Sequence, residues 1–371
     1  MQPQDYQKRI LIAVSGLSPQ IVTETLYGLA VKGDFIPTEI HLITTLEGKD
    51  RANLNLLHNQ NGKFHALCHD YNLPVIDFNE QNIHVICDAD SQELTDIRTP
   101  EQNATAADFI TNTIKELTRD EDSSVHVSIA GGRKTMGYYL GYALSLFGRS
   151  QDRLSHVLVS EGYEGHPDFY YPTEKSIVIH TRDNKPLDTS TAKVSLAEIP
   201  FIRMRQDIPQ KLLDGKSGFL DTINLARKAE LPPELIIDLA NKTISASGEV
   251  FTMSPVNIAF YSWFLKQTVA LEEALEKPLE FEPNKMYAVD FLKDYHIVVG
   301  EMGAETTAQS LSTGMDGNFF AEKITRINKQ LKENLGMRLA QAYKITGAKH
   351  NKRMFYHTDL QMDAVTFATI K

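Results

Sequence analysis

Apolar runs alternate with helix-period segments through the first half of the chain. Residues 9–15 (RILIAVS) form a continuous apolar run closed by small polar residues, the pattern of a strand buried on both faces of a parallel sheet. Pro19 follows where a first helical turn tolerates it, Ser18 is a candidate N-cap, and Ile21, Val22, Thr25, Leu26 and Leu29 recur at helical spacing. The alternation continues with strands over EIHLITT (39–45), HVIC (84–87), VHVSIA (125–130) and HVLVS (156–160), separated by helices over about 50–71, 104–118 and 135–147. Strands separated by helices predict an α/β fold with a doubly wound, mainly parallel sheet and right-handed crossovers. Ligands in such sheets bind at the carboxyl ends of strands, so the loops after Ser15 and Ala130 become the first candidates.

The pattern changes after SIVIHT (176–181). The stretch from Asp183 to Ala197 is polar, poor in aromatics and interrupted by Pro186, which predicts a domain boundary near 185–205. Beyond it come a strand pair, LIIDL (235–239) and KTISAS (242–247), helices over about 255–274 and 285–295, and an amphipathic helix from Phe319 to Leu335. Tyr343-Lys344-Ile345, the turn-rich TGAKHNK (346–352) and residues 354–357 then read as a hairpin. A helix followed by a hairpin resembles a winged helix, with 346–352 as the wing. No tandem repeat or low-complexity tract interrupts the chain.

Composition narrows the class. A 371-residue chain with 42% hydrophobic and 23% charged residues fits two globular domains and excludes collagen-like or wholly disordered readings. Two cysteines, Cys68 and Cys87, form no CxxC pair, which argues against a disulfide scaffold or a thiolate zinc site and for a reducing, cytoplasmic compartment. The N-terminal residues lack a signal-peptide pattern, and no apolar run approaches the roughly 18 residues of a membrane helix, so a soluble protein with no membrane partner is expected. The net charge of −10 opposes nonspecific coating of nucleic acid. That charge is uneven: residues 1–200 carry 17 basic against 27 acidic side chains, the remainder 21 against 21, and the segment from Asp316 to Phe355 nine against three.

Three phosphate-loop templates fail. The first turn lacks the spaced glycines of a dinucleotide fingerprint, and Gln20 stands where a nucleophile elbow needs its second glycine. Ala130-Gly131-Gly132-Arg133-Lys134-Thr135 has Lys-Thr, but Arg133 replaces the glycine a Walker loop places before lysine. What this turn offers is two glycines that let backbone N–H groups approach an anion, a guanidinium fork, an ammonium charge and a helix N-terminus. An anion site and a tight turn with solvated cations both fit that pattern.

Together, SGLSPQIVTETLYGL (15–29) and SIAGGRKTMGYYLGYAL (128–144) resemble the CRISPR-associated Rossmann-fold (CARF) family, in its ring nuclease subgroup. The resemblance covers roughly residues 1–180, including DIRTPEQNATAADFI (96–110). It implies a Rossmann-like domain over 1–185, a linker over 186–204 and a smaller α+β, winged-helix-like domain over 205–371. It also implies a homodimer whose paired strand-end loops bind a cyclic oligoadenylate, cyclic tetra-adenylate being favoured, and cleave it without metal or cofactor. Ser18 matches the serine placed beside the scissile phosphate and Lys134 the lysine that stabilises the reaction. Ser15, Gly16, Leu17, Pro19, Gln20, Gly131, Gly132, Arg133 and Thr135 are the accompanying ligand contacts, with Arg98 and Thr99 after the third strand. Where many relatives read Gly-Thr-Ser, this chain reads Gly-Leu-Ser, and Ser15 is the expected substitute hydroxyl.

Other candidates have duller readings. His65 and His69 lie at i, i+4, but no metalloprotease glutamate accompanies them, so solvated side chains are expected. Phe169, Tyr170 and Tyr171 could stack adenines, although a strand beside a turn packs such residues. Lys323, Arg326, Lys329 and Lys332 form a slowly rotating basic stripe that, with Lys349, Lys352 and Arg353, could contact DNA; a solvated helix of a dimerisation module fits equally. A messenger-gated transcription factor is therefore the rival function. A messenger-activated ribonuclease would need an Arg-x4–6-His motif, and Arg353 and His357 stand only four apart.

Overall fold

The computed structural model describes residues 1–60, 62–215, 218–271, 273–279 and 281–368. Two compact units divide it: the first comprises residues 1–205 and a short stretch ending at Leu220, the second residues 206–215 and 221 onward.

In the first unit, strands β1 (Lys8–Val14), β2 (Glu39–Thr44), β3 (Ile83–Val85), β4 (Ser123–Ser128) and β5 (Arg153–Val159) are all parallel. Helices α1 (Gln20–Leu26), α2 (Leu46–Ala52), α3 (Lys63–Asp70), α4 (Pro100–Leu117) and α5 (Lys134–Phe147) connect them. A hairpin of β6 (Val178–His180) and β7 (Pro186–Asp188) follows, and β8 (Val194–Glu198) closes the sheet edge antiparallel to β5. The sheet order is β3-β2-β1-β4-β5-β8. Ile10 to Val14 are all buried, yet only Leu11 and Ala13 share a cluster with Ile21, Val22 and Leu26 of α1. Alternate side chains of β1 therefore fill separate layers on the two faces, which is why its sequence is apolar without alternation.

The polar residues of β4 are the exception. Ser124 donates to the Pro3 carbonyl (2.7 Å), His126 pairs with Ser155 (2.8 Å) and Ser128 with Thr25 (3.1 Å), so burial leaves these groups partnered. The single helix expected over 50–71 is two, α2 and α3, separated by a wide π turn and by Asn59 in the left-handed region (φ 46°). The fourth helix begins at Pro100 rather than near 104, because Thr99 caps it and Gln102 returns the bond to the Thr99 amide. The stretch 186–204, expected as a linker, instead supplies β7 and the edge strand β8. Its polarity reflects edge positions with one face toward solvent.

The second unit contains α6 (Gln210–Asp214) and most of α7 (Phe219–Lys228). Strands β9 (Leu235–Asp238), β10 (Thr243–Ala246) and β11 (Glu249–Thr252) form an antiparallel meander. Next come α8 (Pro255–Leu271), the short β12 (Leu275–Glu276), α9 (Lys285–Ser310), which breaks at Gly300, and α10 (Gly317–Ala340). The hairpin is β13 (Thr346–His350) and β14 (Arg353–His357), with β12 against β14, and β15 (Val365–Phe367) lies parallel to β9. Ile324, Ile327 and Leu331 of α10 enter a core with Phe260, Trp263 and Phe264 of α8 and Phe291 of α9. The expected wing is shorter than its turn-rich sequence suggested. Residues 346–350 are strand, and only Asn351 and Lys352, both at positive φ, make the turn. Among the described residues, no helix is long and apolar enough to cross a membrane.

Candidate functional site

Strands β1 and β4 are neighbours in register, Ala13 opposite Ser128, so the loops that leave their carboxyl ends emerge side by side. The chain passes from β1 to β2 on one side and returns to β4 on the other, and such a reversal of strand order opens a crevice between the departing loops. The approach there is close: a Cβ on Gly16 would lie 3.8 Å from the Gly132 Cα. Gly131 has no room for a side chain, since a Cβ would collide with the Val14 carbonyl and stand 2.8 Å from Ile21 Cγ1. Gly132 adopts φ +72°, a conformation other residues rarely take. Both glycines are thus dictated by the turn that brings the second loop onto the first.

A cavity of about 300 Å³ occupies this crevice. Gly16, Leu17, Ser18, Gln20, Ile21 and Glu24 line it from the first loop and α1, Ala130, Gly131 and Gly132 from the second loop, and His156, Val157, Val159, Glu164 and Gly165 from β5 and beyond. Ser18 is exposed at its edge and Leu17 is 59% exposed. Pro19, buried, takes the N-cap position of α1, one residue later than the sequence signal at Ser18.

Arg133 is the N-cap residue of α5, and Lys134 and Thr135 are its first two helical residues, both exposed. The Lys134 and Thr135 amides have no preceding helical carbonyl to bond, whereas Met136 N–H donates to the Arg133 carbonyl at 2.8 Å; the helix dipole adds positive potential there. Lys134 forms no ion pair among the described residues and is not among the residues that line the cavity; it follows Gly132, which does, by two positions. Arg133 is differently placed, for its guanidinium grips Asp96, Nε donating to Oδ1 at 2.9 Å, and Arg98 bonds the same carboxylate at 2.9 Å. The Arg133 hydrogen bond, supported by that from Arg98, holds the Asp96 carboxyl well below the usual carboxylate range. Arg98 is thus anchored to Asp96, and Thr99 spends its hydroxyl as the cap of α4.

Ser15 lies inside the fold rather than on the cavity surface. It is 0% exposed and its Oγ has no hydrogen-bond partner, while its carbonyl accepts from Thr44 Oγ1 at 2.8 Å. The substitute hydroxyl is sealed behind the loop, because the residue after an all-apolar strand still sits in the sheet's interior.

Two carboxylates escaped sequence reasoning. Glu24, one helical turn beyond Gln20 on α1, is only 6% exposed, and burial, then the neighbouring Glu164 charge, push its carboxyl up to about 7. A charged residue inside the apolar helix IVTETL was the available signal, since an unpaired carboxylate is costly to bury. Glu164 arrives from a loop distant in sequence and carried no local signal.

The remaining candidates are structural. Phe169, Tyr170 and Tyr171 are buried packing residues, and the Tyr171 hydroxyl donates to Asp70 at 3.0 Å. His69 is exposed beside Asp70, and His65 lines a separate surface hollow with Asp50 and Glu80. Among the described residues, no group of three or more His, Cys, Asp or Glu side chains is placed to hold a metal ion.

The basic stripe of α10 breaks up. A spacing of three turns the helix back by about 60° per step, so four such residues cannot share a face. Lys323 is buried to 9% exposure, its ammonium 4.8 Å from the Phe319 ring centre. Arg326 pairs with Glu322 at 2.6 Å, Lys329 with Glu333 at 3.7 Å, and Lys332 is exposed. Arg353 and His357 both lie on β14, paired with Glu276 (2.7 Å) and beside Asp359 (3.7 Å).

Residues 18–226, more than half of the chain, match the family described as CRISPR-associated protein NE0113. No curated protein matches the chain.

Proposed function

The chain belongs to the CRISPR-associated protein NE0113 family, and from that premise we propose that the crevice between β1 and β4 binds a cyclic oligoadenylate and opens its ring. The observation that carries this reading is the meeting of two loops, one bearing Ser18 and one bearing Gly131 to Lys134, around a single cavity where strand order reverses. The sheet order and the two loop sequences support a CARF-type, Rossmann-like domain of the ring nuclease subgroup.

The chemistry asks little of the protein. An adenosine O2′ attacks its neighbouring phosphorus, one P–O2′ bond forms as one P–O5′ bond breaks, and the proton lost from O2′ ends on O5′. The ring opens without consuming water, leaving a 2′,3′-cyclic phosphate and a 5′-hydroxyl. Because the ligand brings its own nucleophile, alignment supplies much of the rate. Ser18 at the cavity edge positions the scissile phosphate. Lys134 and the free amides at the start of α5 stabilise charge developing on the phosphoryl oxygens, as donors in an oxyanion hole do. Arg133, tied to Asp96, shapes the loop more than it contacts the phosphate. A two-fold ring suits a homodimer that presents two copies of this crevice, with cyclic tetra-adenylate as the favoured size and the cytoplasm, where invading RNA is sensed, as the place of action.

Incubation of the purified protein with cyclic tetra-adenylate and cyclic hexa-adenylate in EDTA tests this. Linear products ending in cyclic phosphate, lost in Lys134→Ala and reduced in Ser18→Ala, are expected; intact ligand with wild-type protein would overturn it.

A second reading rests on the topology of the second unit. Helix, short strand, two helices and a hairpin, with the short strand against the last one, resembles a winged helix, which supports a ligand-gated DNA reader. Arg326, Lys329, Lys332, Lys349, Lys352 and Arg353 are among its exposed cations. Binding to duplex DNA that weakens steeply with salt would favour it.

A further inference from the structure

The loop that carries Lys134 is held from a third strand end, beyond β3. The chain there is fixed on both sides of Asp96. The Leu94 amide donates to the Ile86 carbonyl at 2.8 Å and the Leu94 carbonyl accepts from the Leu46 amide at 2.9 Å. Farther on, Gln102 Oε1 accepts from the Arg98 amide at 2.8 Å and from the Thr99 amide at 3.1 Å. Between these anchors the Asp96 carboxylate accepts from the Ile97 amide at 2.7 Å, from Arg98 Nε at 2.9 Å and from Arg133 Nε at 2.9 Å, with Arg133 Nη2 donating to its other oxygen. Its side chain is 20% exposed against 48% for that of Arg133, so the carboxylate is the anchored end of the pair. Arg133 is the N-cap of α5, one residue after Gly132 of the cavity wall and one before Lys134. A two-point bond between guanidinium and carboxylate fixes direction as well as distance.

Resting on the reading above, we propose that Asp96 is a positioning residue for ring opening: through Arg133 it sets where α5 begins, and with it the place of Lys134 and the first two amides, while its charge keeps two guanidiniums from the ligand's phosphates. The two parts act in opposite directions on an anionic ring. Loss of the fork misplaces donors that act on the transition state, and small misplacements slow a reaction steeply. Loss of the carboxylate charge leaves Arg98 and Arg133 uncompensated toward a ligand that carries one negative charge per phosphate, which strengthens binding. Asp96 thus weakens attraction for the bound ring in favour of alignment, as a group that serves the transition state does.

The test is single-turnover cleavage by the full-length protein at low ionic strength, with cyclic tetra-adenylate, or cyclic hexa-adenylate should wild type open only that ring. Varying the protein concentration gives a maximal rate and a half-saturating concentration. Asp96→Asn lowers the maximal rate by about 10- to 100-fold and lowers the half-saturating concentration by about threefold. A merely structural role would raise that concentration instead. Arg133→Lys keeps the charge and loses the fork, so it slows cleavage by a similar factor at an unchanged half-saturating concentration, and it serves should Asp96→Asn melt early. The double variant is no slower than the slower single one, because the two side chains act as one unit. Undiminished cleavage in Asp96→Asn and Arg133→Lys, slow cleavage with weakened binding in folded Asp96→Asn, or additive losses in the double variant overturns the assignment while leaving the ring-opening reading intact. Failure of wild type to open either ring overturns both.

Discussion

The strand-end crevice of the first unit and the basic helix α10 of the second both looked cationic in sequence, and they differ in what surrounds each charge. Lys134 opens a helix whose first two amides lack a helical carbonyl, and it forms no ion pair among the described residues. On α10, Glu322 and Glu333 sit one turn from Arg326 and Lys329, and Lys323 lies over Phe319. Cations spaced along a helix side acquire i, i+4 partners from their own helix, whereas one at a helix N-terminus points beyond it. A count of basic residues measures neither circumstance. The acidic half of the chain therefore holds the better candidate for an anion site, and the basic segment the weaker one.

This contrast breaks first at Lys134. Replacing it with alanine lowers ring cleavage by about 10²–10³-fold with an unchanged melting temperature, while Arg326→Ala leaves the rate as it was. Single-turnover cleavage in EDTA reads both, and a fast Lys134→Ala enzyme removes the distinction. Next in size is Leu331→Ala, which empties part of the second unit's core and costs about 2–5 kcal/mol in urea denaturation. Two residues away, Lys329→Ala costs no more than about 0.5 kcal/mol.

Glu24 gives a pH-dependent contrast within the first unit. Its raised folded-state value means that the native protein keeps a proton the unfolded chain has released, across the window from about 4.5 to 7. Stability therefore falls as pH rises through that window and stays lower above it. Glu24→Gln escapes this loss, so the variant gains about 2–3 kcal/mol over wild type at pH 8 and nothing at pH 4; thermal melts across pH check the crossover. Smallest is the double change Glu322→Gln with Glu333→Gln. Freeing Arg326 and Lys329 alters stability by less than about 1 kcal/mol, and any DNA affinity of the second unit rises with it.

Much of the fold was legible because each signal was local. RILIAVS could only be a doubly buried strand, and Ile324, Ile327 and Leu331 marked the buried side of α10 correctly. Thr99-Pro100 with Gln102 was a readable capping box that apolar periodicity overlooked, since the first turn of α4 carries few apolar residues. The edge strand β8 was hidden because an edge needs one apolar face only, and 194–198 looked like linker. Likewise the wing sequence TGAKHNK, rich in turn formers, is mostly strand, its pairing with β14 outweighing local preference.

By itself the sequence determined the order of strands and helices, the two glycines that only a tight turn requires, and the two loops that carry Ser18 and Lys134. These follow from steric rules and apolar periodicity acting over a few residues. Tertiary structure alone decided which strands are neighbours, and hence that the two loops share one cavity. It sealed Ser15, brought Glu164 beside Glu24, tied Arg133 to Asp96 and buried Lys323. Each of those outcomes depends on what residues distant in the chain contribute to a side chain's surroundings, and burial and charge pairing are properties of that assembled environment.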